Sequence, residues 1–90
     1  MEAKCELCGR IKELTFHHFI PKTLHTNKLF KKLYTTDFMK SSGINLCEDC
    51  HSNIHKFFTE KELGREYNDK KKLLSDERVR KFLRWVKKQD

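Results

Sequence analysis

The sequence predicts a small α+β domain, and three observations carry that expectation. Two Cys-x-x-Cys knuckles stand far apart, Cys5/Cys8 in CELC and Cys47/Cys50 in CEDC. A segment containing threonine and phenylalanine, LTFHHFI, stops at the only proline, Pro21. Helical spacing of apolar residues then dominates the second half. The 90 residues make one domain. A chain of this length has a limited core and is commonly helped by a metal or by disulfides.

The elements follow in order. Leu14 to Ile20 reads as a strand, because aromatic and β-branched residues suit one and proline ends regular pairing. Adjacent strand residues point to opposite faces, so His17 and His18 have different surroundings. Residues 22–42 read as a lysine-rich helical excursion. Leu24, Leu29, Phe30 and Leu33 give partial helical spacing, and Ser41-Ser42-Gly43 ends it. Ile44 to Leu46 is a short strand entering the second knuckle. From Cys50 to about Phe58 the pattern is helical. Cys50, Ile54 and Phe57 share one stripe, and His51 and His55 share the next. Thr59 reads as the N-cap of a helix near Glu60 to Tyr67, weakened by Gly64. Ser75 reads as the N-cap of a last helix, whose stripe of Val79, Phe82, Leu83 and Val86 is core, with Trp85 flanking. Residues 1–58 thus form the metal-clipped core and 59–90 a helical extension of the same domain.

Twenty basic residues against 13 acidic ones give a net charge of +7. That balance favours a polyanion such as nucleic acid, and equally fits a lysine-rich soluble surface. No segment is apolar enough to span a membrane. MEAKCELCGR has no apolar stretch of a secretory leader, so a cytoplasmic location is expected. In a reducing compartment, paired Cys-x-x-Cys reads as zinc rather than disulfide.

Tetrahedral zinc wants four ligands, and Cys5, Cys8, Cys47 and Cys50 supply them from two tight turns. The alternatives are redox or disulfide use, or sites mixing Cys with His. Thirty-eight residues separate Cys8 from Cys47, well beyond the roughly 15–20 of a compact zinc ribbon. The zinc is therefore expected to pin the His17-His18 strand against the helix carrying His51 and His55.

Those histidines suggest a second centre. His51 and His55, at i and i+4, form a chelating pair, and His17 adds a third ligand. Three protein ligands leave coordination positions open, the pattern of a catalytic metal. His18, facing elsewhere, is then available as a general base. The competing readings are a second structural zinc bound by all four histidines, or surface histidines without metal. His25 carries no distinguishing neighbours and reads as a loop or helix-surface residue.

C-x-x-C, then LTFHHFIPK, then INLCEDCHSNIH resembles the zinc-clipped branch of the HNH endonucleases, which have the ββα-metal (His-Me finger) fold. The resemblance covers roughly residues 5–55 and implies a ββα-metal core. It implies an endonuclease that hydrolyses phosphodiester bonds in double-stranded DNA, leaving 5′-phosphate and 3′-hydroxyl ends. His18 stands at the general-base position. His17 stands at the first metal-ligand position, where many members have Asp, and His51 and His55 match the helix ligands. The implied cofactors are a structural Zn²⁺ and a catalytic divalent ion (Mg²⁺, Mn²⁺, Ni²⁺ or Zn²⁺). That second ion stabilises the transition state and leaving group. The family's middle asparagine falls near Ser41 or Ser42 here. Asn45 is the candidate to orient the base, its plainer reading being a turn or strand residue. Lys22, Lys28, Lys31 and Lys32 are candidates to grip flanking phosphates, or else a solubilising face. Outside the nuclease class, the chain reads as a non-catalytic zinc-stabilised nucleic-acid-binding module or an interaction adaptor.

Overall fold

The computed structural model describes residues 2–89. Strand β1 (Glu2–Lys4) turns through the first knuckle into β2 (Ile11–His18). A 3-10 turn (Lys22–Leu24), α1 (Lys28–Leu33) and α2 (Thr36–Ser41) lead to β3 (Gly43–Cys47). Four helices follow: α3 (Glu48–Phe57), α4 (Glu60–Arg65), α5 (Lys70–Ser75) and α6 (Glu77–Val86). The result is a mixed α+β fold with a three-stranded antiparallel sheet in the order β1-β2-β3.

Register decides what the sheet presents to α3. Thr15 pairs with Leu46 and His17 with Ile44, so these four share one face. Phe16 pairs with Asn45 and His18 with Gly43 on the other. The alternation expected of the histidine pair is present: His17 is fully buried and His18 half-buried. Gly43 is required where it stands. A Cβ there would collide with the His17 carbonyl oxygen and lie 2.5 Å from the Phe16 ring.

The strand begins earlier than expected and stops at His18, although Phe19 N–H still reaches the Ser42 carbonyl at 3.0 Å. The excursion over 22–42 is three short pieces rather than one. Asn27 caps α1 by accepting from Leu29 and Phe30 N–H, and Thr35 caps α2 by accepting from Phe38 N–H. These caps lock the chain into extended backbone between the pieces, overriding the partial apolar spacing. Its Leu24, Phe30 and Met39 join Ile20 in a second small core.

Thr59 does cap α4, and in a full capping box with Glu62. Ser75 does not cap the last helix. It closes α5, a helix the apolar spacing did not reveal, and Asp76 caps α6 by accepting from Arg78 and Val79 N–H. Val79, Leu83 and Val86 are buried as expected, beside Leu63 and Leu73 in the main core around the cysteines. No helix among the described residues is long and apolar enough to cross a membrane.

Candidate metal centres

The four cysteines converge although 38 residues lie between the knuckles. Cys5 and Cys8 sit in the β1–β2 turn, which closes with Cys5 N–H on the Arg10 carbonyl at 2.9 Å. Gly9 completes the turn at φ +80°, a conformation that L side chains rarely adopt. Cys47 is the N-cap of α3, and Cys50 lies in its first turn. All four are buried, with their sulfurs within 4.8 Å of one another.

Cys8 Sγ and Cys47 Sγ are 3.8 Å apart. That matches the edge of a tetrahedron with metal–sulfur bonds of about 2.3 Å and is far beyond a disulfide bond of about 2.05 Å. Burial pushes the Cys5 thiol up, but N–H groups of Cys47, Cys8 and Leu7 outweigh it and bring it to about 7. Cys50 is pushed far up by burial and by Cys5, Cys47 and Cys8. Four thiolates this close need a cation to coexist, so the donor set fits a structural metal such as zinc.

The second cluster joins sheet to helix. His17 projects from β2 between His51 and His55, one turn apart on α3. Ring centroids lie 5.2 Å and 5.4 Å from His17, and 5.0 Å between the helix pair. One nitrogen from each ring falls within 4.8 Å of the others. Both ring nitrogens of His17 are buried without a hydrogen-bond partner. A buried polar group left so costs roughly 1–3 kcal/mol, and a cation shared with two further imidazoles relieves that penalty. Burial first, then His51, His55 and His18, push His17 down to about 3. The ring is neutral, the form that ligates metals. Three imidazoles therefore fit a divalent ion.

His18 reaches the same place from the opposite sheet face. With His51, His55, Lys22 and Glu60 it lines a cleft of about 250 Å³. Burial, then His25 and Lys22, lower its pKa. A larger cleft of about 550 Å³ opens on the other side of the helix pair, between Glu13, Thr15, Glu48 and Ser52.

Asn45 shares the His18 face but does not hydrogen-bond it. Its main chain is tied to Glu6, with its N–H on the carboxylate at 2.5 Å and its carbonyl accepting from Glu6 N–H at 3.1 Å. Lys22 lines the His18 cleft, whereas Lys28, Lys31 and Lys32 are exposed on α1 and do not.

Three residues gain importance that the sequence did not suggest. His25 is buried rather than at the surface: its Nε2 lies 2.7 Å from the Ile20 carbonyl and its ring packs edge-on to His18 at 5.7 Å. Arg10 donates to Cys8 and Cys47. Thr15 contacts His51. Strand alternation alone put Thr15 on the His17 face, so that signal was present. Nothing local marks His25 or Arg10.

Fold and clusters together define a small α+β protein with two separate constellations of metal-type side chains. The chain is similar to the uncharacterized protein YisB of Bacillus subtilis (strain 168), at 35% identity over 86 residues. The match covers 94% of this chain and 74% of YisB, and the chain belongs to the YisB family. No protein-family model and no solved structure matches it.

Proposed function

We propose that this protein is a metal-dependent endonuclease of the HNH type that hydrolyses phosphodiester bonds in DNA. One observation carries the reading. Three imidazoles from a strand and a helix converge, and a fourth, His18, shares a cleft with the two on the helix without joining the cluster. A structural site would use every ligand; a catalytic one leaves room for substrate. The order of elements adds support, since strand with histidine pair, connecting segment, second strand and helix with two histidines is the order of the HNH family.

His18 accepts the proton of the attacking water. Lys22, in the same cleft, offsets phosphate charge. His17, His51 and His55 would hold the divalent ion. When bound there, such an ion supplies Lewis acidity to the phosphate and its leaving oxygen. The four cysteines hold the helix against the strand and take no part in the chemistry.

The test is nicking of supercoiled plasmid with added Mg²⁺, Mn²⁺, Ni²⁺ or Zn²⁺, beside a folded His18→Ala variant. Wild type is expected to cut, and the variant to lose about 10²–10⁴-fold in rate. Equal cutting by both, or cutting by neither with any of these ions, defeats the proposal. DNA binding without cleavage would point to the non-catalytic zinc-stabilised module.

A further inference from the structure

We propose that Thr15 is a positioning residue that sets the tautomer and orientation of His51 for metal binding. The inference rests on reading His17, His51 and His55 as a metal site. Thr15 lies two residues before His17 on the same face of β2, directly opposite Leu46 of β3. Its Oγ1 is 2.7 Å from His51 Nδ1 and donates to the Leu46 carbonyl at 3.3 Å.

The hydroxyl has one hydrogen. A carbonyl only accepts, so the bond to Leu46 consumes that hydrogen. Oγ1 then has only lone pairs to offer His51, and Nδ1 must donate. The ring hydrogen sits on Nδ1, and Nε2 keeps a free lone pair for the ion. In the reverse arrangement the hydroxyl donates to Nδ1 and gives up Leu46. The ring hydrogen moves to Nε2 and blocks it as a ligand. Ligand nitrogens in metal sites are commonly oriented in this way by a partner on the other ring nitrogen. A β-branched side chain on a strand is stiff at χ1, so the hydroxyl is held where the ring needs it. His55, exposed one turn later, makes no side-chain hydrogen bond among the described residues. The sheet thus preorganises one helix ligand and leaves the other to close on the ion.

Thr15→Val keeps the shape and removes the hydroxyl, whereas Thr15→Ser keeps the hydroxyl. Zn²⁺ alone is titrated into each full-length protein against a chromophoric chelator. Long-range ¹H–¹⁵N correlation reads the His51 tautomer in protein carrying one equivalent of Zn²⁺, with the cysteine site filled and the histidine site still open. The wild-type ring is expected to carry its hydrogen on Nδ1. Thr15→Val should bind the second Zn²⁺ about 10–100-fold more weakly, and Thr15→Ser should stay near wild type. Wild-type affinity in Thr15→Val overturns this inference alone, as does a wild-type ring protonated on Nε2. Wild type that binds only one Zn²⁺ overturns the histidine metal site and this inference together. Where Thr15→Val does not fold, the wild-type tautomer decides.

Discussion

Arg10, with its side chain only 9% exposed, faces the cysteine cluster. Its Nε and one terminal nitrogen donate to Cys8 and Cys47 sulfurs, each at 3.4 Å, and the second donor also pairs with Asp49 at 3.0 Å. Four thiolates around a divalent ion leave two negative charges in excess, and a guanidinium is suited to offset them because it does not deprotonate. Its remaining arm reaches the Gln89 carbonyl at 3.4 Å and so couples the knuckle to the end of the chain. Arg10→Met, which keeps the length of the side chain, is expected to speed zinc release to a chelator on the order of tenfold. Release kinetics at neutral pH check this, and an unchanged rate would show that Arg10 has no such role. Sequence reading missed Arg10 because its partners are 37 and 39 residues away as well as two. It missed His25 for a related reason, since burial of that ring depends on how the 3-10 turn folds back over His18.

Caps decide the boundaries at the level of elements. Asp76 ends α5 and begins α6, so one side chain sets the corner between them. Arg78 strengthens that corner: it bonds Asp76 at 3.3 Å and the Phe57 carbonyl at 3.0 Å, and it lies 4.9 Å from the Phe58 ring centre. Removing the cap by Asp76→Ala should lower stability by about 1 kcal/mol at neutral pH, read by urea unfolding. Burial favours a raised Asp76 pKa, but the Arg78 side chain and the Arg78 and Val79 N–H groups prevail and hold it below the ordinary carboxylate value. The unfolded chain therefore binds this proton more readily than the native one. The stabilisation is present above the unfolded value of about 3.9 and is lost as pH falls through the lower native value. Asp76→Asn keeps a capping oxygen without charge. Its stability should fall less steeply than that of wild type below about pH 4, and parallel curves would remove the charge from the account. Asp76 was legible in principle. Ser75 and Asp76 are both capping residue types, and only the end of α5 separates them. Thr59 is legible as a capping residue type at the start of its helix, and the structure adds Glu62, three residues on, as the other half of a capping box.

For the whole molecule, the main core contains all four cysteines, with Leu46, Ile54 and Leu63 among its apolar members. Knuckle and core are one structure, so the fold and the cluster should be lost together. Stripping metal with a strong chelator is expected to abolish cooperative thermal unfolding. Titrating Zn²⁺ back should restore it at the first equivalent, with the histidine cluster filling afterwards without further gain in far-UV signal. A metal-free protein that still unfolds cooperatively at the same temperature would assign the stability to the apolar core alone. The positive charge is also a property of the whole chain. Lys22 reaches the histidine cleft, while Lys28, Lys31 and Lys32 stand on a separate exposed helix.

The residues able to bind metal could be named from one dimension, because Cys-x-x-Cys, the paired histidines on a strand and the i, i+4 pair on a helix are local patterns with fixed geometry. That His17 and His18 face different surroundings followed from strand alternation, and the apolar stripe of the last helix from its 3.6-residue period; which histidine is buried was decided by the packing of α3 on the sheet. Register and long-range packing settled the rest. They brought the Thr15 hydroxyl to His51, set Arg10 against the thiols, turned His25 inward and left Asn45 tied to Glu6 rather than to His18. Most of them join residues far apart in the chain, Thr15 with His51, Arg10 with Cys47 and Asn45 with Glu6, whose partners are chosen by how the strands pair and the helices dock. Such choices depend on the chain as a whole, and no short window of sequence contains them.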